Sequence, residues 1–353
     1  MKQRIRRFTF SVFLTLCLSV TGLNAQEATQ ESCPLSDGVL NIVWVPKALD
    51  NAVFGLGQVG AETRTAELNE TDGCQVDLLV AAPMNTIAEE QAALLNEIIE
   101  TGEFDAIAVS CISPDACLEP INRAVEEGIA VMTWDSDSPE SDRFTYYGTN
   151  NYDGGRAAAE LLVRAMGEAG QVVLLSGVEE SQNLGERIDG FTDYVADYPD
   201  IEILDLLYSN DDPVLAVEQV NVFMEENPEV DGWFFVGLWP LLVGRGAMPA
   251  WEEATENGDL FTVAFDTLPL ELDLIVEGYL HGLVGQKYWD WGYSSVQIVY
   301  DYVVNGETFE PFTDTGMDIV TLNNVEAMIE AWTSNDFTQP LPAPYEETPE
   351  ASS

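Results

Sequence analysis

The chain has 353 residues, with 13 Lys and Arg, 62 Asp and Glu, one His and five Cys, and a formal charge of −49. That length suits two domains of about 100–200 residues each, and a 46% hydrophobic content fills real cores, unlike a disordered acidic polymer. So few bases exclude a nucleic-acid partner, which needs clustered Lys and Arg, and a single His leaves little for a metal cage or a His-based triad.

Met1–Ala25 reads as a secretory signal peptide. Lys2, Arg4, Arg6 and Arg7 precede an apolar run from Phe8 to Val20, and the small residues Gly22 and Ala25 offer cleavage points. Leu16 ahead of Cys17 is too large for a lipoprotein signal, so no lipid anchor is expected. No later run reaches the ~18 apolar residues of a membrane span. With the leader removed, nine basic residues face 62 acidic ones, a charge of −53, and the lysines left are Lys47 and Lys287. Such a surface suits high salt or low pH, where self-repulsion is screened or titrated; it equally suits a merely acidic secreted protein.

Short apolar runs then alternate with amphipathic segments. Strands are expected at Leu40–Val45, Val76–Ala81, Ala106–Val109, Ala130–Trp134 and Thr145–Tyr147. A second series follows at Val172–Leu175, Glu202–Tyr208, Gly232–Val236, Phe261–Ala264 and Leu283–Gly285. Helical patterns fill most of the gaps, including Ala88–Thr101, Asp153–Met166, Arg187–Tyr198, Val214–Asn227 and Tyr288–Val304. This alternation predicts βαβ units and an α/β fold of doubly wound parallel sheets. The segment 339–353, rich in Pro and Glu, is expected to be disordered.

Cys33, Cys74, Cys111 and Cys117 remain after the leader, an even number in an oxidising compartment, with three pairings open. Cys111 and Cys117 bracket a short loop. Cys33 and Cys74 each precede an apolar strand, so neighbouring parallel strands would put both at one sheet end. The pairing 33–74 with 111–117 is favoured. Zinc is the weaker reading, because no Cys-x-x-Cys or nearby His supports it; neither a metal nor a cofactor is expected.

Open parallel sheets bind ligands beyond the carboxyl ends of their strands. That rule gathers Lys47, Asn51 and Phe54 after the first strand, Asp135 and Asp137 after Trp134, Arg187, Trp239, and Asp266. Gly55, Gly57 and Gly60 match a dinucleotide fingerprint, but they start ten residues after Val45. A helix starting at Asp50 or Asn51 would enclose them, so the match reads as a decoy. Asp135 and Asp137 are open to four readings: solvated turn residues, a metal site, an acid/base pair, or acceptors for the hydroxyls of a polyol. Arg187 stands out because bases are so scarce; its guanidinium fork can bridge two ligand oxygens. Aromatics near strand ends (Trp44, Phe54, Trp134, Trp239, Trp289) suit either core or sugar stacking. His281 reads as structural.

Together these residues resemble the periplasmic sugar-binding proteins of ABC importers, ribose-binding type, with the type I periplasmic binding fold. The resemblance covers roughly residues 38–335. It is carried by Val45-Pro46-Lys47-Ala48-Leu49-Asp50-Asn51, by Asp105–Val109 with Ser113-Pro114-Asp115, and by Gly128–Asp137. Tyr147–Asn151 with Gly154-Gly155, Arg187 with Gly190-Phe191, Val263–Asp266 and Gly285-Gln286 complete it. By that resemblance Asp135, Arg187, Asp266 and Gln286 match hydrogen-bonding positions of the family's sugar site. Asn51 and Phe54 match its first-strand loop, and Asp211 falls where a contact comes from the second lobe. Ser136 and Gly237 depart from the ribose binders, which carry Arg and Asn there, so plain ribose is not implied. The Thr133–Asp137 segment and Pro46-Lys47 also resemble the rhamnose- and autoinducer-2-binding branches.

The resemblance implies two lobes joined by a three-segment hinge: residues 34–149 with 287–315, and 150–286 with 316–336. Crossings fall near Asn150, Gln286–Lys287 and Asp314–Gly316. It implies a monomeric, periplasmic or extracellular protein that captures a monosaccharide for an importer's membrane permease. An autoinducer-2 or other signal binder, including a chemoreceptor's ligand-loaded partner, is the runner-up. A secreted carbohydrate-active enzyme is the rival from another class; it needs a carboxylate pair flanking the scissile bond.

Overall fold

The computed structural model describes residues 33–49, 51–71, 73–334, 337 and 339–345; the expected leader, 1–25, and Asp50 lie outside them. The first half runs β1 (Val39–Val45), α1 (Ala52–Asn69), β2 (Gln75–Val80), α2 (Ala88–Thr101), β3 (Ala106–Val109), α3 (Pro114–Glu126), β4 (Ala130–Trp134) and β5 (Thr145–Gly148). The second half runs α4 (Asn151–Met166), β6 (Gly170–Ser176), α5 (Gln182–Val195), β7 (Ile201–Tyr208), α6 (Pro213–Glu226), β8 (Gly232–Phe235), α7 (Pro249–Glu256), β9 (Phe261–Phe265), α8 (Pro269–Glu277) and β10 (Gly282–Gly285). Then come α9 (Tyr288–Val303), β11 (Phe312–Asp314), β12 (Asp318–Val320) and α10 (Val325–Ser334).

The strands form two six-stranded sheets, β2-β1-β3-β4-β5-β11 and β7-β6-β8-β9-β10-β12. Every pairing is parallel except β10 with β12. Sheet membership makes the chain pass between the lobes three times: after β5, after β10, and between β11 and β12. In each sheet the order reverses beside the first strand of the half, at β1/β3 and at β6/β8. Such switch points open a crevice at the carboxyl ends of the strands.

Helices cover both sheet faces, so central strands are apolar throughout, as β3 (AIAV) and β8 (GWFF) are. Along β1, Ile42 and Trp44 join an aromatic core with Trp134 and Trp291, while Val43 and Val45 join an aliphatic core with Leu95, Ile107 and Ile121. That split follows the two-residue period of a strand. The second lobe has one larger core containing Phe191, Phe234 and Leu283. Cys33 is bonded to Cys74 (Cα–Cα 4.7 Å) and Cys111 to Cys117 (6.1 Å); both links belong to the first lobe.

Three expectations need correction. The interval between Cys111 and Cys117 is not all loop: Ser113 caps α3 and the helix starts at Pro114, a Ser-Pro start that suits a helix N-terminus. Arg187 does not begin its helix but lies in the second turn of α5, which already starts at Gln182. Residues 339–345 are placed rather than disordered. The Pro344 carbonyl accepts from Thr321 Oγ1 (2.5 Å) and Asn323 Nδ2 (3.2 Å), and the Pro342 carbonyl from Asn324 Nδ2 (3.0 Å). The Arg164 guanidinium stands 4.4 Å from the Tyr345 ring. Side-chain donors of the second lobe thus satisfy a segment whose composition gives it no core of its own; 346–353 lie outside the described residues.

The glycine-rich motif has a packing explanation. Gly57 and Gly60 lie within α1 and let it close against α9; a β-carbon on Gly60 would fall 2.0 Å from the Trp289 carbonyl oxygen. Gly155 does the same between α4 and α5, where a β-carbon would meet the Arg187 carbonyl oxygen at 2.0 Å. Gly55, on the same helix as Gly60, has nothing within 4 Å. Gly60→Ala is therefore expected to destabilise by about 1–3 kcal/mol through overpacking, despite alanine's helix advantage of about 1 kcal/mol. Gly55→Ala should stabilise by about 0.5–1 kcal/mol. Urea unfolding of the two variants against the parent checks both signs.

Candidate functional site

The site is built on strand ends. Asp135 directly follows β4 and Asp266 directly follows β9, and both adopt left-handed backbone, φ 58° and 85°. Aspartate tolerates that region better than most residues. In each case the neighbouring strand holds the kink: the Asp135 N–H donates to the Tyr147 carbonyl (3.2 Å) and the Asp266 N–H to the Val284 carbonyl (2.9 Å). Asp211, after β7, is also left-handed at φ 60°. Three of the predicted carboxylates thus sit where the backbone turns a side chain out of the sheet.

Asp135 and Asp266 are almost wholly buried, at 3% and 4% exposure, and each is compensated. Asp135 Oδ2 accepts from Ser110 Oγ (2.7 Å) and lies 3.9 Å from Lys47 Nζ; its Oδ1 accepts from Asn183 Nδ2 (3.4 Å). Asp266 Oδ1 accepts from Gln286 Nε2 (3.1 Å) and from the Tyr288 hydroxyl (3.0 Å). Arg187 joins the pieces. Its Nε donates to Asn151 Oδ1 (2.9 Å), Nη1 to the Val236 carbonyl (3.0 Å) and Nη2 to Gln286 Oε1 (2.9 Å), and its guanidinium lies 3.9 Å from the Phe265 ring centroid.

The lobes meet directly here. Lys47 Nζ donates to Asn183 Oδ1 (3.1 Å) and reaches Ser181 Oγ (3.5 Å). Ser181 Oγ donates to the Ile112 carbonyl (2.9 Å) and the Asp137 N–H to Gln182 Oε1 (3.3 Å). In these four contacts it is the N-terminal turn of α5, with its cap Ser181, that touches the first lobe.

Burial is the largest influence on the titration of Lys47, Arg187, Asp211 and Asp266. It lowers Lys47 and Arg187, opposed by Asp135 and Asp211 for Lys47 and by Asp266 and Asp135 for Arg187. It raises Asp266, against the pull of Arg187, Gln286 and Tyr288. Asp211, a half-exposed residue whose carboxyl faces inward, is pushed up to about 6 by burial; Lys47 and the Val178 N–H counter this. Behind Asp266, the fully buried Glu271 carboxyl is driven well up, first by burial and then by Asp266.

Other expected residues do different work. Asp137 accepts from Thr133 Oγ1 (2.5 Å), the Ser138 N–H (2.7 Å) and both arms of the Arg143 fork, so its carboxylate is committed within the first lobe. Trp134 is a core side chain, stacked on Trp44 at 4.1 Å with Phe54 edge-on at 5.9 Å. Asn51 caps α1, its Oδ1 accepting from the Val53 N–H (3.1 Å). Trp239 begins a short 3-10 turn and lies beside Asp211: a β-carbon on Gly177 would fall 1.9 Å from Asp211 Oδ1 and 2.5 Å from the Trp239 ring. Sequence reasoning did not single out Ser110, Asn183, Glu271 or Tyr288 as contributors. They are ordinary polar residues whose roles depend on which strand end they face. Among the described residues no group of three or more His, Cys, Asp or Glu gathers to hold a metal.

Two parallel-sheet lobes with a polar, buried set of side chains between them define a two-lobe binding protein. The chain belongs to the periplasmic binding protein family: the family model for the periplasmic binding protein domain matches residues 42–308. The xylose/arabinose-binding protein of Sulfolobus acidocaldarius is 24% identical over 244 residues, covering 64% of this chain and 59% of that relative's length. The D-apiose import binding protein of Actinobacillus succinogenes is 23% identical over 265 residues, covering 73% and 80%. Among solved structures, an ABC transporter solute binding protein from Burkholderia graminis in complex with D-arabinose is 28% identical with a TM-score of 0.73, covering 80% of this chain and 96% of that one. A carbohydrate transporter solute binding protein from Agrobacterium radiobacter, also in complex with D-arabinose, is 25% identical at TM-score 0.74, covering 83% and 98%.

A raised carboxyl contributes stability below its unfolded pKa and loses it as pH rises through the folded value. For Asp211 that window runs from 3.8 to about 6. Asp211→Asn should therefore flatten the fall in melting temperature between about pH 4 and pH 7. Circular-dichroism melts across that range, compared with the parent, measure the change in slope.

Proposed function

We propose that this chain captures a neutral monosaccharide between its lobes and delivers it to the membrane permease of an ABC importer, working in the periplasm or at the cell exterior. The observation that carries the reading is the charge balance of the site. Lys47 and Arg187 face Asp135 and Asp266, with the Asp211 carboxyl pushed up to about 6 by burial. An overwhelmingly acidic chain has thus placed two of its few bases where they cancel its buried acids. A compensated set of fixed donors and fixed acceptors suits hydroxyls, which both donate and accept, better than it suits an ion. The sugars named for the relatives and for the bound neighbours support the same class.

The reading is of a binder rather than an enzyme. Asp137, the obvious second carboxylate for acid/base work beside Asp135, is held by the Arg143 fork. Asp135 and Asp137 also come from one short segment, whereas a glycosidase pair flanks the bond from opposite sides at roughly 5–9.5 Å. Hinge closure about the three crossings would couple capture to a change of shape.

Thermal-shift screening over pentoses, hexoses, deoxyhexoses and autoinducer-2 should find a sugar that raises the melting temperature, because a ligand of the native state stabilises it by mass action. With that sugar, calorimetry on Asp266→Asn and Arg187→Lys should show affinity reduced at least ~30-fold, the scale of a charge-assisted hydrogen bond of about 2 kcal/mol. The sugar should be recovered unchanged after incubation. Unaltered affinity in both variants, or steady turnover abolished by Asp135→Asn, would overturn the proposal.

A further inference from the structure

A second cavity, of about 430 Å³, lies at the hinge. Leu56 of α1 and Trp289 of α9 line it from the first lobe; Met328 and Trp332 of α10 line it from the second. Phe337 stands edge-on to Trp332, ring centroids 5.3 Å apart. The Trp332 indole is fixed by its N–H, which donates to the Thr267 carbonyl (2.8 Å). The charges at the rim are already matched. Lys287 Nζ donates to both oxygens of Asp318 at 2.7 Å, and Asp290 accepts from Tyr147 and Ser294. An ammonium carries three protons, so Lys287 keeps one N–H that no described residue takes.

We propose that this cavity is a second binding site, for a neutral, flat aromatic molecule with one hydrogen-bond acceptor, and that its occupancy favours closure of the cleft. The volume falls within the few hundred Å³ typical of small-molecule sites; the ring and aliphatic walls meet a polar side formed by Thr267, Gln286, Lys287, Asp290, Thr315 and Asp318. Flat walls of Trp289, Trp332 and Phe337 favour a ring, which gains from offset or edge-on packing. An anion would meet Asp290 and Asp318 in a strongly acidic chain, and a cation would have to compete with the Lys287–Asp318 pair. A neutral acceptor aimed at Lys287 meets neither cost.

The coupling follows from shared residues. Gln286 lines the cavity, and its amide also bonds Arg187 and Asp266 in the cleft. Tyr288 lines it as well, and its hydroxyl bonds Asp266 across the lobes. Because the walls belong to both lobes, an occupant stabilises the arrangement in which Lys47 reaches Asn183. Linkage makes the effect reciprocal: a cleft ligand must tighten the hinge ligand by the same factor. Only this coupling rests on the cleft closing around a sugar; occupancy of the cavity is read without one.

The full chain is titrated with 2-naphthol by calorimetry, without sugar. One saturable site is expected, weakened at least tenfold by Trp332→Ala, which removes a wall, and by Leu56→Trp, which fills the space. Each variant is first checked for native circular dichroism, and Leu56→Trp serves alone if Trp332→Ala does not fold. Small-angle scattering should show a smaller radius of gyration with 2-naphthol bound. Absence of saturable binding, or binding indifferent to the folded variants, overturns the site. Saturable binding with an unchanged radius of gyration overturns the coupling. Saturable 2-naphthol binding in a protein that takes none of the screened sugars would count against the cleft reading and leave the hinge site standing.

Discussion

Two hydrogen bonds from left-handed aspartates set up the whole cleft. Asp135 and Asp266 each continue a strand ladder for one more bond while the backbone turns over, so each carboxylate leaves its sheet edge at a fixed place and angle. Left-handed backbone at a non-glycine residue costs of order 1–3 kcal/mol and persists only where the surroundings over-determine it. Here they do. The kinked residue is bonded to β5 in one lobe and to β10 in the other, at corresponding positions of two similarly ordered sheets. Gln286 and Tyr288 then have a rigid acceptor to close upon, and Arg187 is tied to it through Gln286. Arg187 is itself seated by the close approach of α4 to α5 at Gly155, so its guanidinium inherits the precision of a helix contact.

The electrostatics follow from that placement. Isolated buried charges cost several kcal/mol each, and pairs recover this only with good geometry and further hydrogen bonds. Lys47, Asp135, Arg187 and Asp266 meet the condition as a network, in which each ionised group has partners of opposite sign or well-aligned dipoles. The surface shows another strategy altogether, a large excess of acid that keeps the chain soluble and repels like-charged copies. Lys47, Arg143 and Arg187 compensate acids that water no longer reaches, while Arg64, Arg123, Arg164 and Arg245 pair with acids at the surface.

Much of the architecture was legible in the residues because parallel strands buried on both faces are unbroken apolar runs. The ends of β3 and β4 coincide with the apolar runs themselves, and most others shift by one or two residues. β11 and β12 left no such trace: they are three-residue strands, and β11 is exposed throughout. In the site, Asp135, Arg187 and Asp266 could be found from strand-end logic, from the rarity of Arg and from family resemblance. Asp137 was equally conspicuous, yet its carboxylate is paired with Arg143, six residues on and visible only once β4 and β5 are paired. Asn183 and Tyr288 could not be found, because a neutral polar side chain carries no signal until the opposing lobe is in place. Trp134 shows the reverse case, an aromatic at the right strand end whose ring turns inward to the core.

One small loop ties the cleft to the chemistry of its surroundings. The Ile112 carbonyl that receives Ser181 from the second lobe lies inside the ring closed by Cys111 and Cys117. Gln91 braces that ring from α2, its Oε1 accepting from the Ile112 N–H at 2.8 Å and its Nε2 donating to the Ser110 carbonyl at 2.8 Å. The position of a cleft acceptor thus depends on a bond that forms only where thiols are oxidised. With both thiols reduced the same side chains would sit on a loop held by Gln91 alone, and the lobes would meet less firmly. Oxidative maturation is, on this geometry, part of assembling the binding surface and not only a reinforcement of the first lobe.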